Sequence, residues 1–174
     1  MPATATYPSD LATGEDFGQR LQAHAGIVRK VAATYAWTPH DREDLMQDII
    51  AALWQAWPRY DPARPFSTWM YRVALNVAVS QVRGETRRRR HHVAWEPDVH
   101  GAPLPAHDHE GDERVALLQQ AMQALDAMNR ALLMLHLDER SHREIAEVLG
   151  ISESNVGTRL NRLKARLRQA LTSD

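Results

Sequence analysis

The chain has 174 residues, enough for one domain or two small ones. Its 44% hydrophobic and 25% charged content is that of an ordinary globular protein, and a formal net charge of -1 gives no overall attraction to nucleic acid. The lack of cysteine excludes disulfides, thiol catalysis and cysteine-based zinc sites and fits a reducing, cytoplasmic setting; no apolar run approaches the roughly 20 residues that would insert in a membrane.

The opening stretch, MPATATYPSDLATGEDF, lacks both a charged start and an apolar middle. It is therefore no signal peptide, and residues 1–14 are expected to form a disordered leader. Helical periodicity begins near Glu15. Leu21, Ile27, Val28, Val31 and Ala32 predict one helix ahead of Trp37. A second helix starts at Thr38-Pro39-His40-Asp41: threonine caps, proline fills the first helical position and an acid occupies the third. It is expected to run to about Trp57. Leu45, Met46, Ile49, Ile50, Leu53, Trp54 and Trp57 form its apolar face, with Trp54 read as core. Asp44, Gln47, Asp48, Ala51 and Gln55 form the opposite face.

Prolines at 58 and 65 bracket a loop. A third helix follows from about Phe66, with Phe66, Trp69, Met70, Val73 and Val77 as its predicted core stripe. Arg72, Asn76 and Arg83 share another flank. The helix leads into an arginine block that includes Arg87 and Arg88, and Gly84 is expected to break it first. Clustered arginines of this kind suit a phosphate track.

Residues 93–112, rich in Pro, Gly, His and Asp with no apolar period, read as a flexible linker. His100, His107 and His109 lie in it, with His91 and His92 beside it. A zinc site needs ligands on a rigid scaffold, so no metal and no cofactor is assigned. Beyond it, Val115, Leu118, Met122 and Leu125 suggest one helix. Leu132, Leu133 and Leu135 suggest the next, with Asp126 as its cap.

Residues 141–168 carry a helix-turn-helix pattern. Ser141 and Glu144 make a capping box, Gly150 suits a left-handed turn, and Ser152 can cap the following helix. Val156, Leu160, Leu163 and Leu167 recur as a buried stripe. Ser154, Thr158, Asn161 and Arg162 fall opposite, flanked by Arg159, Lys164, Arg166 and Arg168. A short helix, a tight turn and a polar-basic second helix are what major-groove reading requires. The fold class is therefore all-α: two small helical bundles, at 15–92 and 113–174, the second a helix-turn-helix domain. No phosphate loop, nucleophile elbow or paired catalytic carboxylate points to an enzyme.

In order and spacing these segments resemble bacterial sigma factors of the extracytoplasmic-function type. DREDLMQDIIAALW (41–54) is similar to the family's acidic helix that docks on the β′ clamp helices of RNA polymerase. PFSTWMYRVALNVAVSQVR (65–83) is similar to the helix that melts and reads the -10 promoter element. RALLMLHLDERSHREIAEVLGISESNVGTRLNRLKARL (130–167) is similar to the -35 reading domain, which also meets the β flap. The resemblance implies core polymerase and promoter DNA as partners, and it admits an anti-sigma factor. It implies docking through Asp44, Gln47 and Asp48. For the -10 element it implies Tyr71, Arg72, Asn76, Arg83, Arg87 and Arg88, with the loop at 59–65 taking a flipped base. For the -35 element it implies Ser154, Asn155, Thr158, Arg159, Asn161 and Arg162. Gly157 and Ser80 stand where the family often has a basic residue and an aspartate. Two rivals remain at this point: a helix-turn-helix regulator acting without polymerase, and a sigma-like adaptor that binds polymerase without reading promoters.

Overall fold

The computed structural model describes residues 14–91 and 120–172, with side chains described over 14–84 and 120–169. The leader, the linker and its histidines lie outside these residues. Every regular element among the described residues is helical, and none of these helices is long and apolar enough to cross a membrane.

The first bundle holds α1 (Gly14–Ala23), α2 (Ala25–Tyr35), α3 (Pro39–Ala56), a 3-10 turn at Trp57–Arg59 and α4 (Phe66–His91). The one helix expected ahead of Trp37 is two. The chain bends at His24, whose ψ of 15° leaves the helical range, and the imidazole Nδ1 bonds the Arg20 carbonyl oxygen at 3.0 Å. The start of α3 is as expected: the Thr38 hydroxyl accepts from the Asp41 N–H at 3.1 Å and Pro39 opens the helix. Gly84 does not end α4, which continues to His91. One glycine costs about 1 kcal/mol in a helix, and the turns on either side can carry that.

Val31, Ile49, Leu53, Met70, Ala74 and Ala78 form the dry centre of this bundle. Trp54 does not join it. Its ring is 53% exposed, leaning edge-on against Phe17 at 5.2 Å between centroids. α3 has a narrower buried face than its apolar residues suggest: Leu45, Ile49 and Leu53, a strict i, i+4, i+8 row. The predicted stripe on α4 is also displaced. Tyr71, Ala74 and Leu75 are buried, while Trp69, Val73 and Val77 are only partly so. α4 has neighbours on two sides, and a one-sided stripe misses the second.

The second bundle holds a helical stretch ending at residue 123, then α5 (Ala127–Leu137), α6 (His142–Leu149) and α7 (Glu153–Thr172). Local signals set its boundaries. Asp126 accepts from the N–H groups of Met128 and Asn129 at 3.1 and 3.0 Å. Both halves of the Ser141–Glu144 capping box are formed. Gly150 takes φ 67°, and the Ile151 N–H reaches back to the Ala146 carbonyl at 3.1 Å, closing α6. The Ser152 hydroxyl caps α7 through the Asn155 N–H at 3.2 Å.

Six consecutive residues of α5, Arg130 to Leu135, are buried. A helix buried all round has partners on every side. Leu133 meets Leu125 and Leu163 within its own bundle. Leu132, Met134 and Leu135 belong to the same apolar cluster as Val31, Ile49 and Met70. The two bundles therefore share one core, with α4 packed against α5 and α6.

Nothing lies within 4 Å of a side chain added at Gly150, so a substitution there meets only the cost of its left-handed backbone. Gly150→Ala is expected to destabilise the protein by about 1 kcal/mol, lowering Tm by roughly 3–5 °C. Calorimetry checks this, and an unchanged Tm would contradict it.

Candidate functional site

α3 and α4 enclose a shallow groove of about 660 Å³. Asp48, Ala51 and Gln55 line it from α3; Asn76, Ser80 and Gln81 line it from α4. The Gln81 amide donates to the Asp48 carboxylate across it. Asp44 and Gln47 are exposed on the same face of α3, and His40 Nε2 lies 3.5 Å from Asp44 Oδ2. Both members of that pair are mostly in water, so it adds little stability. On α4, Arg72, Asn76 and Arg83 are exposed and fall within a sector of about 40° at 100° per residue. Asp48 of the acidic face and Asn76 of the Asn–Arg flank, which the sequence presents on separate surfaces, thus line one groove. Arg87 and Arg88 lie further along α4, with their side chains outside the described set.

The loop before α4 is held by its own residues. Asp61 accepts from the Ala63 N–H at 3.0 Å, and the Tyr60 hydroxyl donates to the Arg64 carbonyl at 2.8 Å. The Tyr60 ring stacks on Trp57 at 5.3 Å, with Trp69 at 5.1 Å. An aromatic cluster therefore backs the loop, which suits a site that receives an unstacked base.

Tyr71 corrects the sequence reading. Expected among the DNA contacts, it is 1% exposed. Five residues of helix turn it about 140° away from Asn76, toward the second bundle. There its hydroxyl donates to the Asp138 carboxylate, which also receives the Lys30 ammonium. The Arg140 guanidinium sits over the Tyr71 ring at 5.2 Å, with Nε 3.6 Å from Asp138 Oδ2. Nearby, the Tyr35 hydroxyl donates to the Ala127 carbonyl at 2.7 Å. Buried Arg130 donates to the carbonyls of Met122, Gln123 and Leu125 at 3.0–3.1 Å and covers the rings of Tyr35 and Trp37. Arg64 pairs with Glu147 at 2.9 Å. Sequence reasoning missed this junction. Its one available signal was Arg130 inside the apolar run RALLMLHL, which needs buried partners.

Burial pushes the Asp138 carboxyl up, but hydrogen bonds from Lys30 and Tyr71 and the charges of Lys30 and Arg140 outweigh it and hold it below the usual range. Burial and the bond to Asp138 raise the Tyr71 hydroxyl above its ordinary value, so it remains a donor.

The outer face of α7 is open. Ser154, Asn155, Thr158, Asn161 and Arg162 are exposed and Arg159 is half-buried, while Val156, Leu160 and Leu163 are buried beneath. The Asn155 side-chain oxygen accepts from Arg159 Nε at 3.0 Å, and the Thr158 hydroxyl donates to the Ser154 carbonyl at 3.0 Å. These bonds fix side chains that project from the helix. Burial, then the charges of Lys164 and His142, keep the His136 imidazole below its usual value. Among the described residues, no cluster of three His, Asp or Glu could hold a metal ion.

Residues 21–88 match the family described as Sigma-70 region 2, and residues 116–167 match Sigma-70, region 4. The class defined is thus that of the sigma-70 transcription factors. The RNA polymerase sigma factor NccH of Alcaligenes xylosoxydans xylosoxydans is 30% identical over 165 residues, covering 90% of this chain and 87% of its own. The ECF RNA polymerase sigma factor RpoE of Cereibacter sphaeroides is 28% identical over 158 residues, covering 90% and 86%. A solved structure of the sigma factor RpoE, in complex with the anti-sigma factor NepR from Bartonella quintana, shares the fold. Its TM-score is 0.72 at 21% identity, over 92% of this chain and 99% of that one. The chain belongs to the extracytoplasmic-function group of the sigma-70 family.

Asp138 and Glu144 are both held low, Glu144 chiefly by its bonds from Ser141. A carboxyl depressed in the folded state stabilises it above the unfolded value, about 4, and loses that contribution as pH falls through the folded value. Urea unfolding should therefore show stability dropping below about pH 4. Asp138→Asn should weaken the protein at pH 7 and flatten that acid limb; an acid limb unchanged by the substitution would assign it to other groups.

Proposed function

We propose that this protein binds core RNA polymerase and directs promoter-specific initiation, with residues 15–92 and 113–174 as its two working units. The observation that carries the reading is the α3–α4 groove, where an exposed acidic helix face adjoins an exposed Asn–Arg flank, in one chain with a capped helix-turn-helix.

Asp44, Gln47 and Asp48 dock on the β′ clamp helices, where charge complementarity gives on-rate and register. Asn76 reads a base of the opened -10 strand by its amide edge, and Arg72, Arg83, Arg87 and Arg88 follow the phosphates. The aromatic cluster behind the loop at 58–65 favours uptake of an unstacked base there. In the second unit, Ser154, Asn155, Thr158, Asn161 and Arg162 face the -35 major groove, Arg159 steadies Asn155, and the β flap supports the domain. Asparagine suits adenine and arginine suits guanine at such positions. A regulator of the anti-sigma class fits the reading, since the Bartonella quintana relative was solved with one. The setting is the bacterial cytoplasm, where polymerase and promoter are.

Run-off transcription with purified core polymerase and a promoter library tests the proposal. The expected result is RNA from promoters sharing two spaced elements; core binding without specific RNA would overturn it. Asn76→Ala should cut -10 base preference about tenfold, roughly 1.4 kcal/mol, and leave core affinity intact. Joint Asp44→Ala and Asp48→Ala substitution should do the reverse. Arg162→Ala should weaken binding to the -35 element, and a preference at that element left intact would remove Arg162 from the reading set.

A further inference from the structure

One edge of α7 is furnished by more than one helix. Around the α7 axis Gly157, Asn161 and Lys164 fall within about 60° of one another, beside the outward face of Ser154 and Thr158. Gly157 brings no side chain to that edge, and α6 fills the place. A Cβ at 157 would meet His142 Cε1 and Nδ1 at 3.8 and 3.9 Å, which is ordinary contact. His142 is exposed, so its imidazole lies against the bare glycine and still faces solvent. Lys164 follows two turns later on the same edge, roughly 10 Å further along the helix. Both groups reach His136 of α5, whose imidazole their charges help to hold low. Among the described residues, no ion pair or side-chain hydrogen bond engages His142 or Lys164.

We infer that His142, seated on Gly157, contacts a DNA phosphate at the wall of the major groove, and that the contact tightens when the imidazole is protonated. The inference rests on the -35 role proposed for α7. A group on the edge of a helix lying in the groove meets backbone rather than base edges. Histidine changes charge between about pH 5 and 8, and a phosphate beside it favours the charged form. Binding should therefore strengthen as pH falls. Of the acids on the neighbouring elements, Asp138 is held by Lys30 and Tyr71, and Glu144 by Ser141 and Arg140. Glu139 and Glu153 are exposed and compete with phosphate for the imidazolium. Arg140, Arg143 and Lys164 oppose its charging in the free chain but attract the same phosphates. Burial comes first among the causes that hold His136 low, so His136 serves as the control.

Promoter affinity of the full chain assembled with core polymerase, measured over a salt series near pH 6 and pH 8, tests the inference. His142→Gln keeps a polar side chain and cannot charge. It should match the unsubstituted protein near pH 8 and bind about fivefold more weakly near pH 6, with a salt slope shallower there by about 0.9. His142→Lys should bind tightly at both pH values. Gly157→Lys added to His142→Gln should restore affinity without restoring the pH response. The response should survive Glu153→Gln; its loss there would assign it to an internal pair and overturn the inference. So would His142→Gln with unchanged pH and salt responses, or a response that only His136→Gln removes. Phosphate contacts do not depend on sequence, so the full chain alone on plain duplex DNA separates this inference from the sigma role. A His142 effect there without promoter-specific RNA keeps the contact and sinks the role, whereas no effect on either DNA sinks the contact.

Discussion

A carboxylate in an apolar seam has to be paired, and much of this structure is arranged around pairing Asp138. Left without partners, a partly buried carboxylate there would be destabilising. Its donors come from α2 and α4, while its own backbone sits in the turn between α5 and α6. Satisfying one side chain thus fixes three parts of the chain against one another. Arg140 completes the arrangement from the same turn, covering the Tyr71 ring whose hydroxyl Asp138 holds. The bundles could slide on apolar contacts alone; with this set of directional bonds they have one register.

α4 shows what such an arrangement asks of a sequence. One face fills the core against α2 and α3, a second carries Tyr71 to the other bundle, and a third presents Asn76 with its arginines to solvent. Three jobs on one helix leave little freedom in spacing, because a shift of one residue turns every side chain by about 100°. The groove with α3 adds a constraint from outside. Asp48, on the proposed protein-docking face, is tied by Gln81 to the helix that carries Asn76.

What could be read from the sequence was local. Thr38-Pro39, Asp126, Ser141 with Glu144, and Gly150 each mark a helix end by chemistry confined to a few residues, and each does in the structure what its type implies. The all-helical class and the α7 stripe followed from periodicity. The misreadings share a different origin. Trp54 was placed in the core because it is apolar, yet the buried row of α3 is narrow and leaves it at the rim. The family resemblance puts Tyr71 on the DNA face, yet its angular position on α4 points elsewhere. Both depend on which neighbours pack where, and no window of sequence holds that information. The junction of Lys30, Asp138 and Arg130 is equally non-local, joining residues roughly a hundred positions apart.

The turn that carries Asp138 has one further property. Glu139 adopts φ 57°, the left-handed region that side chains other than glycine rarely enter. The chain reverses there within three residues, and the Arg140 N–H closes the turn onto the Leu135 carbonyl at 3.1 Å. α6 and the 20 residues of α7 follow that turn, with Leu163 of α7 packed back on Leu133 of α5. An arm of about 30 Å that tilts by 10° at its base moves its tip by about 5 Å, more than one base-pair step. The reversal, together with the packing of α6 and α7 on α4 and α5, therefore sets how finely the far end of the helix-turn-helix is aimed.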